Sequence, residues 1–175
     1  MQEMTVPVAE ILGRPGEYRD ISISKPLEGL EVSLAHVGEH PLAAELRLES
    51  VVEGILVTGN VEALADMECA RCLTKLTDSV AVDVCELFTA PGHEAEEDAY
   101  RVAGMEIDLE PMLRDAVTLA LPLNPICRED CAGLCARCGK DLNEGPCNCT
   151  ENTTDPRWAP LAALREKLES QTGAR

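Results

Sequence analysis

Leu46-Arg47-Leu48-Glu49-Ser50-Val51-Val52-Glu53-Gly54-Ile55-Leu56-Val57 is the stretch that decides the fold. Leu46, Leu48 and Ser50 alternate with Arg47 and Glu49, and β-branched residues follow. A period of two puts one set of side chains against a core and the other in water, which is the pattern of a half-buried strand. Working outward, the texture begins at Leu42, and Gly54 and Gly59-Asn60 are expected to punctuate it as turns. Val61 to Met67 and Val80 to Phe88 read as two further strands, the second alternating through Val80, Val82 and Val84. Upstream, the apolar run Val6 to Leu12 meets the turn signal Gly13-Arg14-Pro15-Gly16 and reads as a short helix or strand. Together these elements predict an antiparallel sheet or small barrel.

Downstream, Pro91-Gly92-His93-Glu94-Ala95-Glu96-Glu97-Asp98 is too acidic to bury and is expected as a solvated loop. Leu109, Met112, Leu113, Ala116, Val117 and Ala120 then recur at helical spacing. This predicts an amphipathic helix over about 109–120, with Asp108 as N-cap and Pro111 in the first turn. Pro122 and Pro125 end it. A second amphipathic helix is expected at Leu161, Leu164 and Leu168, with Pro160 at its start. The fold class is therefore α+β, with amphipathic helices and a C-terminal cysteine-rich zinc-binding loop. Residues 1–124 form the mainly β domain, and residues 125–175 form the cysteine-rich segment and terminal helix.

Composition narrows the function. Of 175 residues, 45% are hydrophobic, but the aromatics are only Tyr18, Phe88, Tyr100 and Trp158, so the core is aliphatic and platforms for stacking bases are lacking. The formal charge of −17 repels phosphate backbones and anionic membranes and attracts basic partners. No run approaches the roughly 20 apolar residues of a membrane span. The opening Met1-Gln2-Glu3-Met4 lacks the basic and apolar regions of a secretory signal, so the cytoplasm is expected. No nucleophile elbow, phosphate-binding loop, dinucleotide fingerprint or His-Glu-x-x-His helix occurs, and His36, His40 and His93 lie in loop-like stretches. Neither an enzyme nor a small-molecule substrate is indicated.

The chemistry lies in the cysteines. Six of nine, Cys127, Cys131, Cys135, Cys138, Cys147 and Cys149, fall within 23 residues. Cys135-x-x-Cys138-Gly139 has the form of a zinc knuckle, in which two intervening residues let both thiolates reach one ion and glycine accepts the positive φ of the turn. A tetrahedral site needs two more thiolates, and Cys127, Cys131, Cys147 and Cys149 offer more than enough. The expectation is one structural zinc on four of the six, because loops rich in Gly, Asn and Pro need a staple. Two ions sharing six thiolates, an iron–sulfur cluster, and disulfides or free thiols are the alternatives. Cys69 and Cys72 form a second x-x pair between two predicted strands. It is read as a partly buried turn without metal, or as a partner contact through Arg71, and pairing with Cys135 and Cys138 is a further option. Cys85 reads as a small core hydrophobe.

In order along the chain stand Glu53-Gly54, Glu68-Cys69-x-Arg71-Cys72-Leu73, Glu86-Leu87-Phe88, Asp108-Leu109-Glu110-Pro111, Leu121-Pro122 with Pro125-x-Cys127, Asp130-Cys131-x-Gly133-Leu134-Cys135-x-x-Cys138-Gly139-x-Asp141-Leu142-Asn143, and Asp155-Pro156-Arg157. Together they resemble the YceD family of bacterial large-subunit ribosomal RNA accumulation proteins. The resemblance implies a non-enzymatic cytoplasmic factor that supports accumulation of 23S ribosomal RNA and biogenesis of the large subunit. Its partner is then a ribosomal RNA precursor or a basic large-subunit ribosomal protein. Direct RNA contact would have to come from basic residues such as Arg71, Lys75, Arg137, Lys140 and Arg157, with Cys69, Arg71, Cys72, Arg137 and Lys140 the candidate partner-binding set. Against RNA stands the net charge, which instead suits an acidic adaptor or chaperone for a basic ribosomal protein. A thiol redox or metal-handling protein is a third reading, although no thioredoxin-like βαβ pattern surrounds the cysteine pairs.

Overall fold

The computed structural model describes residues 4–149, apart from 28, 39 and 95, together with Leu161. The chain divides into two compact units, Met1–Gly133 and Leu134–Arg175. The sequence pattern drew the line after residue 124, where the amphipathic periodicity stops. The structure carries the first unit on through Cys127 and Cys131.

The first unit is built on a long hairpin. Strands β5 (Pro41–Val51), β6 (Gly54–Glu68) and β7 (Lys75–Thr89) are antiparallel neighbours, with β6 in the middle. β2 (Tyr18–Pro26) extends the sheet beyond β5. β4 (Ala35–Val37) pairs with the far end of β6, and β3 (Leu30–Val32) pairs with β4. The ladder is an open sheet, not a barrel: its order is β2-β5-β6-β4-β3, with β7 along the other side of β6. A separate ribbon joins β1 (Thr5–Pro7) to β8 (Glu106–Asp108).

Alternation fixes the buried face. Leu42, Ala44, Leu46 and Leu48 of β5 point inward with Ile55, Val57, Val61, Ala63, Ala65 and Met67 of β6 and Val84 and Phe88 of β7. Helix α1 (Glu110–Ala120) lies against β7, β6 and β3 and closes that face with Met112, Leu113 and Val117. The N-terminal Met4, Val8 and Ile11 join the same core. Phe88 stacks on Tyr100 at 5.3 Å between ring centroids, and the Tyr100 hydroxyl donates to Asp115 at 2.7 Å.

Two expectations change at this level, and one strand lacks a sequence signal. Gly59-Asn60 is not a turn. β6 runs straight through it, and the Glu45 carbonyl of β5 lies so close that a Cβ on Gly59 would collide with its oxygen. Glycine here marks a close approach between paired neighbouring strands, a role that turn statistics do not reveal. Asp108 is not the N-cap of α1. Leu109 holds that position, and Asp108 accepts the Glu110 N–H at 3.1 Å from one residue further out. β2 went unread because only Ile21 and Ile23 alternate there, among exposed polar neighbours. The expected helix at 161–168 lies outside the described residues, Leu161 excepted.

In the second unit the backbone folds tightly on itself. Leu134 and Asp141 form an isolated antiparallel bridge, and a 3-10 turn follows at Leu142–Glu144. The Asp141 carboxylate accepts from the Asn143 N–H at 2.8 Å and so caps that turn.

Candidate metal centres

The β6–β7 hairpin ends in Cys69-Ala70-Arg71-Cys72-Leu73-Thr74, and the second unit carries Cys135-Ala136-Arg137-Cys138-Gly139-Lys140. The two stretches fold the same way. In the first, the Leu73 N–H donates to the Cys69 carbonyl at 2.9 Å and the Cys69 N–H to the Thr74 carbonyl at 2.9 Å. In the second, Gly139 donates to Cys135 at 2.9 Å and Cys135 to Lys140 at 2.8 Å. Leu73 and Gly139, each next after a second cysteine, share positive φ values of 60° and 72°. The glycine meets this without strain, whereas the leucine accepts an unfavourable backbone conformation.

Around each knuckle two more thiols gather. Cys69, Cys72, Cys127 and Cys131 form one group and Cys135, Cys138, Cys147 and Cys149 the other, and within each group the sulfurs all lie within 4.8 Å of one another. In the first group Cys69 is 3.9 Å from Cys131 and Cys72 is 3.6 Å from Cys127, sulfur to sulfur. Four thiolates about 2.3 Å from a tetrahedral ion stand about 3.8 Å apart, so this spacing suits one metal. Each group could hold a metal ion.

The chain brings Cys127 and Cys131 to the hairpin by fixed contacts. Pro122 and Pro125 stop α1, and the Pro125 carbonyl accepts the Ala70 N–H at 2.8 Å. Arg71 then reaches over the incoming loop, its Nη1 donating to the carbonyls of Glu129 at 3.2 Å and Cys131 at 3.0 Å. Gly133 passes so near that a Cβ there would lie 3.0 Å from the Arg71 carbonyl oxygen. In the second unit Lys140 plays a comparable part, with its Nζ donating to the Pro146 carbonyl at 3.0 Å, just before Cys147.

Electrostatics prepare one ligand in each group. Backbone N–H groups of Cys127 and Cys72 hold the Cys69 thiol down to about 6, and those of Cys138 and Arg137 do the same for Cys135. Desolvation, ahead of the neighbouring Cys131 and Cys72 thiols, pushes Cys127 up to about 12. The Cys138 thiol and then desolvation push Cys149 up to about 12. A thiolate at the first knuckle position is thus available near neutral pH, while Cys127 and Cys149 keep their protons until a cation displaces them.

The six clustered cysteines therefore do not share one site. The structure separates Cys127 and Cys131 from Cys135, Cys138, Cys147 and Cys149, and it joins the former to Cys69 and Cys72. The signal that could have found this is the repeated tetrad Cys-Ala-Arg-Cys. Cys85 is exposed on β7 and not in the core. It sits on the outward parity of the strand, opposite Thr58. Arg71 faces the loop it binds, and Arg137 is exposed on the second knuckle. His36 lies in β4 and not in a loop, with its Nε2 3.7 Å from Asp66. His93 is exposed in the acidic loop. Among the described residues no helix is long and apolar enough to cross a membrane.

The sequence profile described as large ribosomal RNA subunit accumulation protein YceD matches residues 57–165, a span that includes both knuckles. An uncharacterized protein of Mycobacterium tuberculosis is 43% identical over 169 residues, covering 92% of this chain and 81% of that one. One of Mycobacterium leprae is 43% identical over 141 residues, covering 78% of this chain and 64% of its own length. The chloroplastic large ribosomal RNA subunit accumulation protein YCED homolog 1 of Arabidopsis thaliana is 37% identical over 70 residues, 40% of this chain and 22% of that protein. No solved structure matches the chain.

Proposed function

The chain belongs to the YceD family of large ribosomal RNA subunit accumulation proteins, and from that premise we propose that it is a non-enzymatic cytoplasmic factor supporting accumulation of 23S ribosomal RNA during large-subunit biogenesis. The observation that carries this is the reach of the family match, from near the start of β6 through both cysteine groups. We further propose that each group holds one structural zinc. Cys69, Cys72, Cys127 and Cys131 would hold the first, and Cys135, Cys138, Cys147 and Cys149 the second. The donor set fits, being all thiolate at tetrahedral spacing with backbone N–H groups aimed at the leading sulfur. Zinc brings no redox chemistry and supplies a cross-link. Four protein ligands also leave no coordination position for a substrate, which is the mark of a structural site and not a catalytic one.

The acidic-adaptor form of this function is favoured over direct RNA contact by the hydrogen bonds of the basic residues. Arg71 and Lys140, which an RNA-facing surface would present, are engaged with loop carbonyls beside the cysteines. The partner is then a basic large-subunit ribosomal protein. Thiol redox chemistry finds less support, since the cysteines gather in fours and not as isolated pairs.

Depletion of the protein in its own host tests the process. The expected result is a fall in 23S relative to 16S ribosomal RNA, restored by the wild-type gene and not by one lacking Cys72 and Cys138. An unchanged ratio on full depletion overturns the proposal.

A further inference from the structure

The outer edge of β7 is without a strand partner among the described residues. β7 pairs with β6 along its whole length, and beyond it only Thr89 is met, by a parallel bridge to Arg101. The hydrogen bonds there show which backbone groups face outward. The Thr89 N–H donates to the Tyr100 carbonyl at 2.9 Å and the Thr89 carbonyl accepts from Val102 at 3.0 Å, whereas Ala90 turns back to the Glu53 carbonyl at 2.8 Å. In an antiparallel strand a residue's N–H and C=O point the same way and alternate with the next. The odd-numbered residues Thr77, Ala81, Asp83, Cys85 and Leu87 therefore direct donors and acceptors to the free edge. Ser79 shares the parity, and its N–H is held by the Asp78 carboxylate at 2.8 Å.

A long open edge is a template for another strand. The side chains beside it specify what that strand carries. On the outer face, Asp83 projects from β7, and Glu62 and Asp66 stand opposite Ala81 and Thr77 on β6. Towards Lys75 the sheet opens into a cleft of about 650 Å³ lined by three carboxylates, Glu31, Asp66 and Glu68, against the single lysine Lys75 and His36. On the other face Leu76, Val80 and Val82 are half-buried next to the core, with exposed Asp78 and Glu86 in the same row. A strand laid along β7 would present alternate residues to carboxylates and to this apolar row.

We propose that the β7 edge docks an extended segment of a basic protein, in which lysine or arginine alternates with β-branched residues, by strand addition. The backbone would supply affinity and the two faces specificity, as in other cases of β-augmentation. Charge selects this occupant over a second copy, since two chains of net charge −17 would bring Asp83 and Glu62 towards their own equivalents. The inference deepens the basic-partner form of the proposed function and rests on it for its biological partner. Its test reads β7 alone, so failure of the ribosomal RNA experiment and failure at this edge are separate outcomes.

The probe is a peptide of alternating lysine and valine long enough to span Thr77–Leu87, with a glutamate–valine peptide as control, added to the full zinc-loaded chain. Amide hydrogen exchange should slow at Thr77, Ala81, Asp83, Cys85 and Leu87 with the cationic peptide only, and binding should weaken steeply between about 0.05 and 0.3 M salt. Ala81→Pro removes an outward donor while leaving the ladder to β6, and should weaken binding about tenfold. The pair Glu62→Lys and Asp83→Lys should do the same without touching the backbone. Four results overturn the proposal. One is no protection. Another is protection by an RNA oligonucleotide in place of the peptide. The third is unchanged affinity in both variants. The last is edge amides that exchange slowly before peptide is added, in which case a mass measurement separates a second copy from a segment of the chain itself.

Discussion

Cys131→Ser should release the loop 127–133 and loosen the tip of the β6–β7 hairpin tied to it, while sparing the sheet core and the second group, and the structure lets the effect be sized. Holding these seven residues in one conformation costs about 7–14 kcal/mol at about 1–2 kcal/mol each. Against that, the two Arg71 bonds to the carbonyls of Glu129 and Cys131 and the Cys131 N–H to Arg128 bond contribute about 3–5 kcal/mol together. A structural zinc supplies roughly 10–16 kcal/mol on binding thiolates, a contribution of the same order as that ordering cost. Losing one ligand should thus bring the bound zinc from two per chain to one and raise exchange at amides 127–133 by at least about 100-fold, about 3 kcal/mol of the metal's contribution read as an opening equilibrium. Amides of Leu48 and Val61 in the sheet core and of Cys135 and Gly139 in the second unit should not change. Metal counts by mass spectrometry under non-denaturing conditions, paired with hydrogen exchange, read both quantities. If 127–133 stays as protected in Cys131→Ser as in the wild type, the loop is held by its own hydrogen bonds and the metal reasoning is wrong.

Zinc should leave both groups only below about pH 6, since a bound cation holds the thiolates against protons beyond their metal-free range. The leading thiols of Cys69 and Cys135 are held below their usual value of 9.0, so the stability they give the folded thiolate is present above about 9 and is lost on the way down to about 6. A chromophoric chelator titrated against pH reports the release, and release that is already complete at pH 7 would contradict the assignment. Cys85 should be the one cysteine of nine that iodoacetamide alkylates in the zinc-loaded chain, since it alone stands outside both groups and is exposed. Peptide mapping identifies the modified residue, and extensive labelling of Cys72 or Cys138 would mean that the thiols are not bound. Gly59→Val should cost about 2–4 kcal/mol in urea unfolding, because the new Cβ would collide with the Glu45 carbonyl oxygen. A cost below about 0.5 kcal/mol would show that β5 and β6 can part freely.

The central strands were legible because their signal is local and strong. Leu46, Leu48, Val57 and Val61 alternate within one stretch, and all four are buried. Helix α1 was legible for the same reason, through Met112, Leu113 and Val117. What escaped depends on contacts far apart in sequence. Gly59 looks like a turn residue until the strand paired beside it is known. Cys85 looks like a core hydrophobe until its parity on β7 is fixed, and a one-residue change of register reverses the face. The cysteines show the limit most plainly. Nearness in sequence suggested that Cys127 and Cys131 serve Cys135 and Cys138, but the prolines after α1 carry them to Cys69 and Cys72, with Cys72 and Cys127 55 residues apart. Spacing identifies which cysteines form a knuckle, and only topology identifies their partners.

The two groups share a knuckle but differ in what a metal would hold. In the second, all four ligands fall between Cys135 and Cys149, so the ion closes a short loop within one small unit. In the first, the interval from Cys72 to Cys127 encloses β7, β8 and α1. Loop closure alone makes little of this difference, since each doubling of loop length changes the entropy by only about 0.6 kcal/mol. The larger effect is mechanical. The ion would tie the end of the β6–β7 hairpin to the exit of the helix that covers the same sheet, and Arg71 and the Ala70 to Pro125 bond reinforce that junction. A long hairpin frays most readily at its tip, where β7 has only β6 beside it. Clamping the tip keeps Lys75 to Thr77 in register, and with them the acidic cleft and the free edge that starts there. A metal in the first group would thus couple to the β7 edge, whereas one in the second group would close a loop within its own unit.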